Sequence, residues 1–327
     1  MPKPAKSEQL DRIVEAVVKR RGTDGLGVGV DEKVAPLARI ATALRGLPAE
    51  DFRQQLKADL QRRAKMASAA VKPVREGFHT VTQYLIVPNS SRMIEFLKTV
   101  FGAVELFRVT RPGTTTIMHA EARIGDSMIE LADSTEQFAP MPAALHVFVE
   151  DVDSTYAKAL HAGATSLLAP TDQEYGERGG SLVDEFGNHW YIATPLKGQS
   201  RPEGLRTVTP YLAVKDAARF IEFLKEGFGA EEKLVVKSPD GIVQHAKIGI
   251  GDSILEMSEA HGPYLPKPCG IHLYVPDTDA LYEQAIRAGA TSYYPPADQP
   301  YGDRSGGVKD AFGNLWFLAT HIRDVAY

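Results

Sequence analysis

The spacing of apolar positions along this chain changes repeatedly, and each change marks a new element. "YLIV" (84–87) predicts a short buried strand, and the stretch after it sets Met93, Ile94, Leu97, Val100 and Phe101 at helical spacing. Gly102 follows as a C-cap. Three strand-like runs come next, the last two turning at "IGDS", where Gly125-Asp126 suits a hairpin loop. A further strand, "ALHVFVEDV", leads into a second helical stretch, "DSTYAKALHAGA". Three more strands then close the pattern, turning at "FGN". The reading is β-α-β-β-β, twice in succession.

The entire pattern then recurs. "TVTQYLIV" (80–87) aligns with "TVTPYLAV" (207–214) at an offset of 127 (207 − 80), and Phe220, Ile221, Leu224 and Phe228 repeat the first helix, with Gly229 behind them. From "HAEARIGDSMIEL" (119–131) and "HAKIGIGDSILEM" (245–257) the offset becomes 126 (245 − 119). A turn containing Pro and Gly absorbs the lost residue. "YGERGGSLVDEFGNHWYIAT" (175–194) and "YGDRSGGVKDAFGNLWFLAT" (301–320) are the most similar segments. A period this long indicates a duplicated domain and not a solenoid. Four βαβββ units, with helices on one face of curved mixed sheets, predict an α+β fold.

Residues 1–75 show no strand alternation. They predict helices over Glu8–Arg20 and Val34–Leu44, and another beginning near Pro48 with Phe52, Leu56 and Leu60 on one face. The basic remainder of that helix reads as a solvated face or a packing arm. "GTDGLGVGV" (22–30) has no strand before it and no Lys-Ser/Thr after it, so it reads as a linker and not a nucleotide loop. The expected organisation is a helical N-terminal extension (1–75) and two domains (78–196 and 205–323). The polar segment "TPLKGQSRPEGLR" (194–206) forms the joint.

Composition narrows the function classes. A net charge of −5 argues against a nucleic-acid partner. The single cysteine, Cys269, excludes an internal disulfide and zinc-ribbon spacings. No apolar run approaches the ~20 residues of a membrane span. The N-terminus lacks a signal peptide's apolar core, so a cytoplasmic protein is expected.

The four units, "IEF" with "FGA" around the first helix, and D-x-F-G-N-x-W in the last hairpin resemble the vicinal oxygen chelate superfamily. That group contains glyoxalase I, fosfomycin- and bleomycin-resistance proteins, and extradiol dioxygenases. The resemblance covers residues 78–322. It is strongest to the phosphonate-operon-type glyoxalase-like proteins, whose hallmark is YGDR-x-G…D-P-FG-H-x-W-x-x-ATH. Here Glu185 and Ala311 replace the proline, and Asn188 and Asn314 replace the histidine. Only copy two keeps the closing histidine, His321.

The resemblance implies a half-open barrel and metal ligands projecting from four strands. A cation with open positions would let a substrate chelate it through two neighbouring oxygens. The implied first-strand histidine falls on Thr82 and Thr209, and His79 lies on the opposite strand face. The implied glutamate falls on Glu130 and Glu256, and the fifth-strand histidine on His146 and His272. The last-strand glutamate falls on Tyr191 and Phe317. Each copy therefore keeps two of four ligand types and places a ring where a carboxylate belongs. Glu130 with His146 and Glu256 with His272 are the expected weak metal or acid–base pairs. Swapped members of the family separate such pairs into different pockets.

Other residues carry competing readings. His119 and His245 are general bases or hydrogen-bonded structural histidines. Arg178 and Arg304 suit a substrate carboxylate, or Asp184 and Asp310 as internal partners. Tyr175 and Tyr301 suit stacking on a flat ligand, whereas Trp190 and Trp316 are expected to pack the core. These residues lead to a binding protein for a small hydrophobic or aromatic molecule, without a required cofactor, acting as a monomer or homodimer. The alternative is a lyase, isomerase or dioxygenase that uses divalent Ni, Zn, Fe or Mn.

Overall fold

The computed structural model describes residues 72–262 and 264–325. The helices expected before residue 72 lie outside the described residues. The first copy contributes β1 (Val81–Val87), α1 (Ser90–Phe101), β2 (Val104–Thr110), β3 (Ile117–Ile124) and β4 (Ser127–Asp133). Its second unit contributes β5 (Ala144–Phe148), α2 (Val152–His161), β6 (Thr165–Asp172), β7 (Glu177–Val183) and β8 (His189–Pro195). The second copy repeats these as β9 (Val208–Val214), α3 (Ala217–Phe228), β10 (Glu231–Lys237), β11 (Val243–Ile250) and β12 (Ser253–Glu259). It ends with β13 (Gly270–Tyr274), α4 (Thr278–Arg287), β14 (Thr291–Asp298), β15 (Asp303–Lys309) and β16 (Leu315–His321). The expected α+β architecture of four βαβββ units is present.

The helices start and stop where local chemistry dictates. Asn89, Asp151, Asp216 and Asp277 each accept a backbone N–H of the first turn of α1, α2, α3 and α4. Gly102 and Gly229 end α1 and α3 in the left-handed region, φ 66° and 65°, where a glycine carries no steric penalty.

The strands form two eight-stranded mixed sheets that exchange halves between the copies. The first sheet runs β14-β15-β16-β13-β1-β4-β3-β2, and the second β10-β11-β12-β9-β5-β8-β7-β6. The first and last units of the chain thus share one sheet, and the middle two share the other. The exchange rests on β1 meeting β13, and β5 meeting β9, in antiparallel register. The helices keep the opposite allegiance. Phe101 of α1 packs on Trp190 of its own copy at 4.9 Å between ring centroids, and Phe228 of α3 on Trp316 at 4.6 Å. Both tryptophans are fully buried, as expected, in one continuous core.

The repeated D-x-F-G-N-x-W motif has a structural explanation. Asp310 accepts the backbone N–H groups of Phe312 and Asn314 on Oδ1, and Asn314 Nδ2 and Trp316 Nε1 on Oδ2. Asp184 does the same for Phe186, Asn188 and Trp190. Asn188 and Asn314 then accept the N–H groups of Ala143 and Cys269. One buried carboxylate therefore shapes the turn and seats the tryptophan. Burial raises the pKa of both aspartates despite these donors.

The "IGDS" hairpin turns lock the copies together. Asp252 accepts the Thr80 N–H at 2.8 Å, and Asp126 accepts the Thr207 N–H at 2.7 Å. Burial opposes ionisation of Asp126, but the Thr207 bonds and Arg201 outweigh it and hold its pKa at about 2. Gly251 sits at φ 57°, and a Cβ there would run into the Thr80 side chain. Gly251→Ala is expected to lower unfolding free energy by about 1–3 kcal/mol. Urea unfolding followed by circular dichroism measures this.

Candidate functional site

Each sheet curls into a trough on the side away from its helices. Tyr293 of β14 donates its hydroxyl to the Gln137 carbonyl, just after β4, at 2.7 Å. β14 and β4 are five strand positions apart, about 24 Å in a flat sheet. Their ends meet only because the sheet bends. In the second sheet, Lys247 of β11 lies close enough to Glu177 of β7 to help hold its charge, again across five strand positions.

Strand alternation sends one side-chain set into the core and the other into the trough. In the first trough Thr82, His272 and Phe317 form one row on β1, β13 and β16. Glu130 lies in the next row beside Tyr84. In the second trough Thr209, His146 and Tyr191 form the matching row, and Glu256 stands beside Tyr211. The within-copy pairs expected from the sequence are therefore corrected. His272 Nδ1 donates to Glu130 Oε2 at 2.6 Å, and His146 Nδ1 to Glu256 Oε2 at 2.7 Å. The cause is strand pairing: with β4 on one edge of β1, the other edge is taken by β13 and not β5.

The carboxylates of both pairs are almost completely buried. Burial works against a charged His272, but the field of Glu130 and its hydrogen bond prevail, so the imidazole pKa is raised. Burial likewise works against a charged Glu256. The hydrogen bond from His146, with His245 and Lys247 nearby, outweighs it and lowers the carboxyl pKa.

Beyond these pairs the troughs differ. In the first, Glu121 stands directly across from Glu130, a like-charge placement that needs relief. Arg75 supplies it by binding Glu121 while lying 4.2 Å over the Phe78 ring. His119 Nε2 donates to Glu121 at 3.2 Å and its Nδ1 accepts from the Tyr84 hydroxyl at 3.2 Å. His321 and Tyr274 both donate to Asp303, each at 2.8 Å. In the second trough Lys247 replaces Glu121 and lies across from Glu256, its Nζ 3.8 Å from Oε1. Phe148 and Pro195 stand where Tyr274 and His321 stand in the first.

Aromatic rings line both troughs. Tyr191 packs on Tyr211 at 4.9 Å and on Tyr264 at 6.0 Å; Phe317 packs on Tyr84 at 5.0 Å. Burial raises the Tyr211 pKa to about 12 and raises that of Tyr191 as well, so both hydroxyls stay protonated donors. Tyr175 is 75% exposed and Tyr301 44%. Tyr175 lies near Glu177 and Glu256, and Tyr301 near Asp303 and Glu130, so each ring overhangs a trough.

The two arginines are committed elsewhere. Arg178 grips Asp153 of α2 through two bonds of 2.7 and 2.9 Å and Asp172 at 2.9 Å. Arg304 holds Asp279 of α4 and Asp298 in the same manner. The internal partners expected from the sequence, Asp184 and Asp310, serve the tryptophan turns instead. Sequence reasoning also missed Glu121, Lys247, Arg75 and Glu177. Alternation was the available signal for two of them, since Glu121 and Lys247 lie two residues beyond His119 and His245 on the same strand face.

The residues at the four implied ligand positions do not fit a complete metal centre. Each trough offers there one carboxylate, one imidazole, a threonine and an aromatic ring, and the carboxylate and imidazole bond each other. Among the described residues no group of three or more His, Cys, Asp or Glu converges on a common point suited to an ion.

The two-sheet fold and the paired troughs define a tandem member of one recognisable class. The model of the Glyoxalase/Bleomycin resistance protein/Dioxygenase superfamily matches residues 77–192 and 205–318. The chain belongs to that superfamily. An uncharacterized protein of Mycobacterium tuberculosis (strain H37Rv) is 34% identical over 128 residues, which is 36% of this chain and 75% of that protein. A Mycobacterium bovis protein is equally similar over 84% of its length and the same 36% of this chain. Among solved structures, glyoxalase I from Zea mays superposes with a TM-score of 0.55 at 16% identity, covering 73% of this chain and 90% of that one. That likeness is one of fold. Among the described residues, no helix is long and apolar enough to cross a membrane.

Proposed function

We propose that this chain binds a small hydrophobic or aromatic molecule in a sheet trough, without a complete metal site. One observation carries the reading: where the superfamily resemblance calls for a last-strand carboxylate, Tyr191 and Phe317 present rings beside an imidazole already bonded to its carboxylate. A flat ligand gains apolar contact from such walls, and the protonated tyrosine hydroxyls supply orienting donors. Titration with 2-naphthamide, followed by its own fluorescence, is expected to saturate. Tyr191→Ala is expected to weaken that binding roughly tenfold, the loss of one stacked ring. Binding of neither 2-naphthamide nor a charged analogue would end the proposal.

A second reading rests on the survival of a Glu–His pair in both troughs: a lyase, isomerase or dioxygenase that uses a divalent metal. Elemental analysis of the dialysed protein separates the two. Close to one equivalent of Ni, Zn, Fe or Mn favours the metal enzyme.

A further inference from the structure

The two troughs carry the same architecture and opposite charge logic, and this difference identifies which one is built for a ligand. In the first trough the polar groups are matched internally. Arg75 reaches in from the segment before β1, and its guanidinium lies within electrostatic range of Glu121, Glu130 and Tyr274. Val74 and Phe78 anchor that segment against Met128, Tyr274 and Ala319, and the His321 N–H donates to the Pro73 carbonyl. The chain thus places its own cation where a ligand would lie.

Among the described residues the second trough has no such plug. The residue aligned with Arg75 is Pro202 (75 + 127), which carries neither charge nor side-chain donor. The position of Glu121 is taken by Lys247. The Lys247 side chain is only 20% exposed, and its nearest acid oxygen, on Glu256, lies at 3.8 Å, beyond hydrogen-bond reach. Glu256 is meanwhile bonded to His146 at 2.7 Å. Among the described residues, the Lys247 ammonium makes no hydrogen bond. His146 Nε2 is in the same condition, with Glu177 at 3.9 Å. Its three N–H donors are engaged by no hydrogen bond from the described residues, and an anionic acceptor can take them.

We infer that the second trough is the ligand site and that its ligand is a flat aromatic anion, a carboxylate or its equivalent. The anionic head sits on Lys247 and the aromatic body against the ring cluster of Tyr191, Tyr211 and Tyr264. This rests on the small-molecule reading above and adds to it the site, the charge and a stoichiometry of one. Reversal of sign at a single register position carries it: an acid at 121 holds an internal cation, and a base at 247 awaits an external anion.

The test compares 2-naphthoate with its neutral isostere 2-naphthamide on the full chain. The expected result is one molecule of naphthoate per chain, held more tightly than naphthamide. Lys247→Met is expected to weaken naphthoate at least tenfold, on the order of one lost charge-assisted hydrogen bond, and to leave naphthamide within twofold. Lys247→Arg restores most of the naphthoate affinity. Naphthoate binding that is unchanged in Lys247→Met, or a stoichiometry of two, overturns the assignment. If naphthamide binds as tightly as naphthoate, the anionic head falls while aromatic binding stands; if neither binds, both readings fall together.

Discussion

Replacing Asp310 with alanine is expected to lower the unfolding free energy by roughly 3–5 kcal/mol, among the larger effects of any single change in this chain. The carboxylate accepts four hydrogen bonds in a buried position, two from backbone N–H groups and two from Asn314 and Trp316. Alanine leaves all four donors without their acceptor, and each buried orphan costs about 1–3 kcal/mol before relaxation. Asp310→Asn is a sharper probe. Its amide oxygen can still serve the two backbone donors, but its NH2 then meets Asn314 Nδ2 and Trp316 Nε1, donor against donor. It is expected to cost about 2–4 kcal/mol, with red-shifted fluorescence as Trp316 loosens. Denaturant unfolding of both variants checks the order, alanine below asparagine below wild type. An asparagine variant as stable as wild type would contradict the role given to this carboxylate.

The second large effect concerns the imidazole–carboxylate pairs, where removing the acid Glu256 and removing the imidazole His272 are expected to show opposite dependences on pH. Breaking a buried pair by removing one partner costs about 3–5 kcal/mol, because a charge is left without compensation. For Glu256→Leu the loss is expected at neutral pH and fades in acid. The folded pKa of Glu256 is lowered, so its contribution is complete above the ordinary carboxylate range and is lost as pH falls through the folded value. For His272→Leu the window lies on the other side. The folded pKa of His272 is raised, so its contribution is complete below the ordinary imidazole value of ~6.5 and is lost as pH rises through the folded one. Melting temperatures of wild type and both variants from pH 3 to pH 9 test this. The gap to Glu256→Leu should shrink toward the acid end, and the gap to His272→Leu toward the alkaline end. Parallel curves would refute the linkage.

The sequence revealed the elements far better than their partners. Helical spacing at Met93, Ile94, Leu97 and Val100 reports burial on one side of one local element, and alternation around Trp190 reports which residues enter the core. Both signals are local, and the structure agrees with them. Which strand borders β1 is a choice between two near-identical segments, β5 and β13. Their sequences, "ALHVF" and "GIHLY", would both satisfy the same edge. No periodicity distinguishes them, so the sequence alone groups Glu130 with His146, whereas its partner is His272. The arginines illustrate a related limit. Arg178 had several aspartates within plausible reach along the chain, and only the packing of α2 against β7 brings Asp153 to it.

The exchange of halves between the sheets has a consequence for how such a protein can diversify. A homodimer built from a single copy has two equivalent sites by symmetry, so every substitution is felt twice. Joining the copies in one polypeptide removes that restriction. An acid at 121 and a base at 247 can then stand at one equivalent position of the two chambers. Within one polypeptide the two chambers are free to diverge one residue at a time, as Glu121 and Lys247 do.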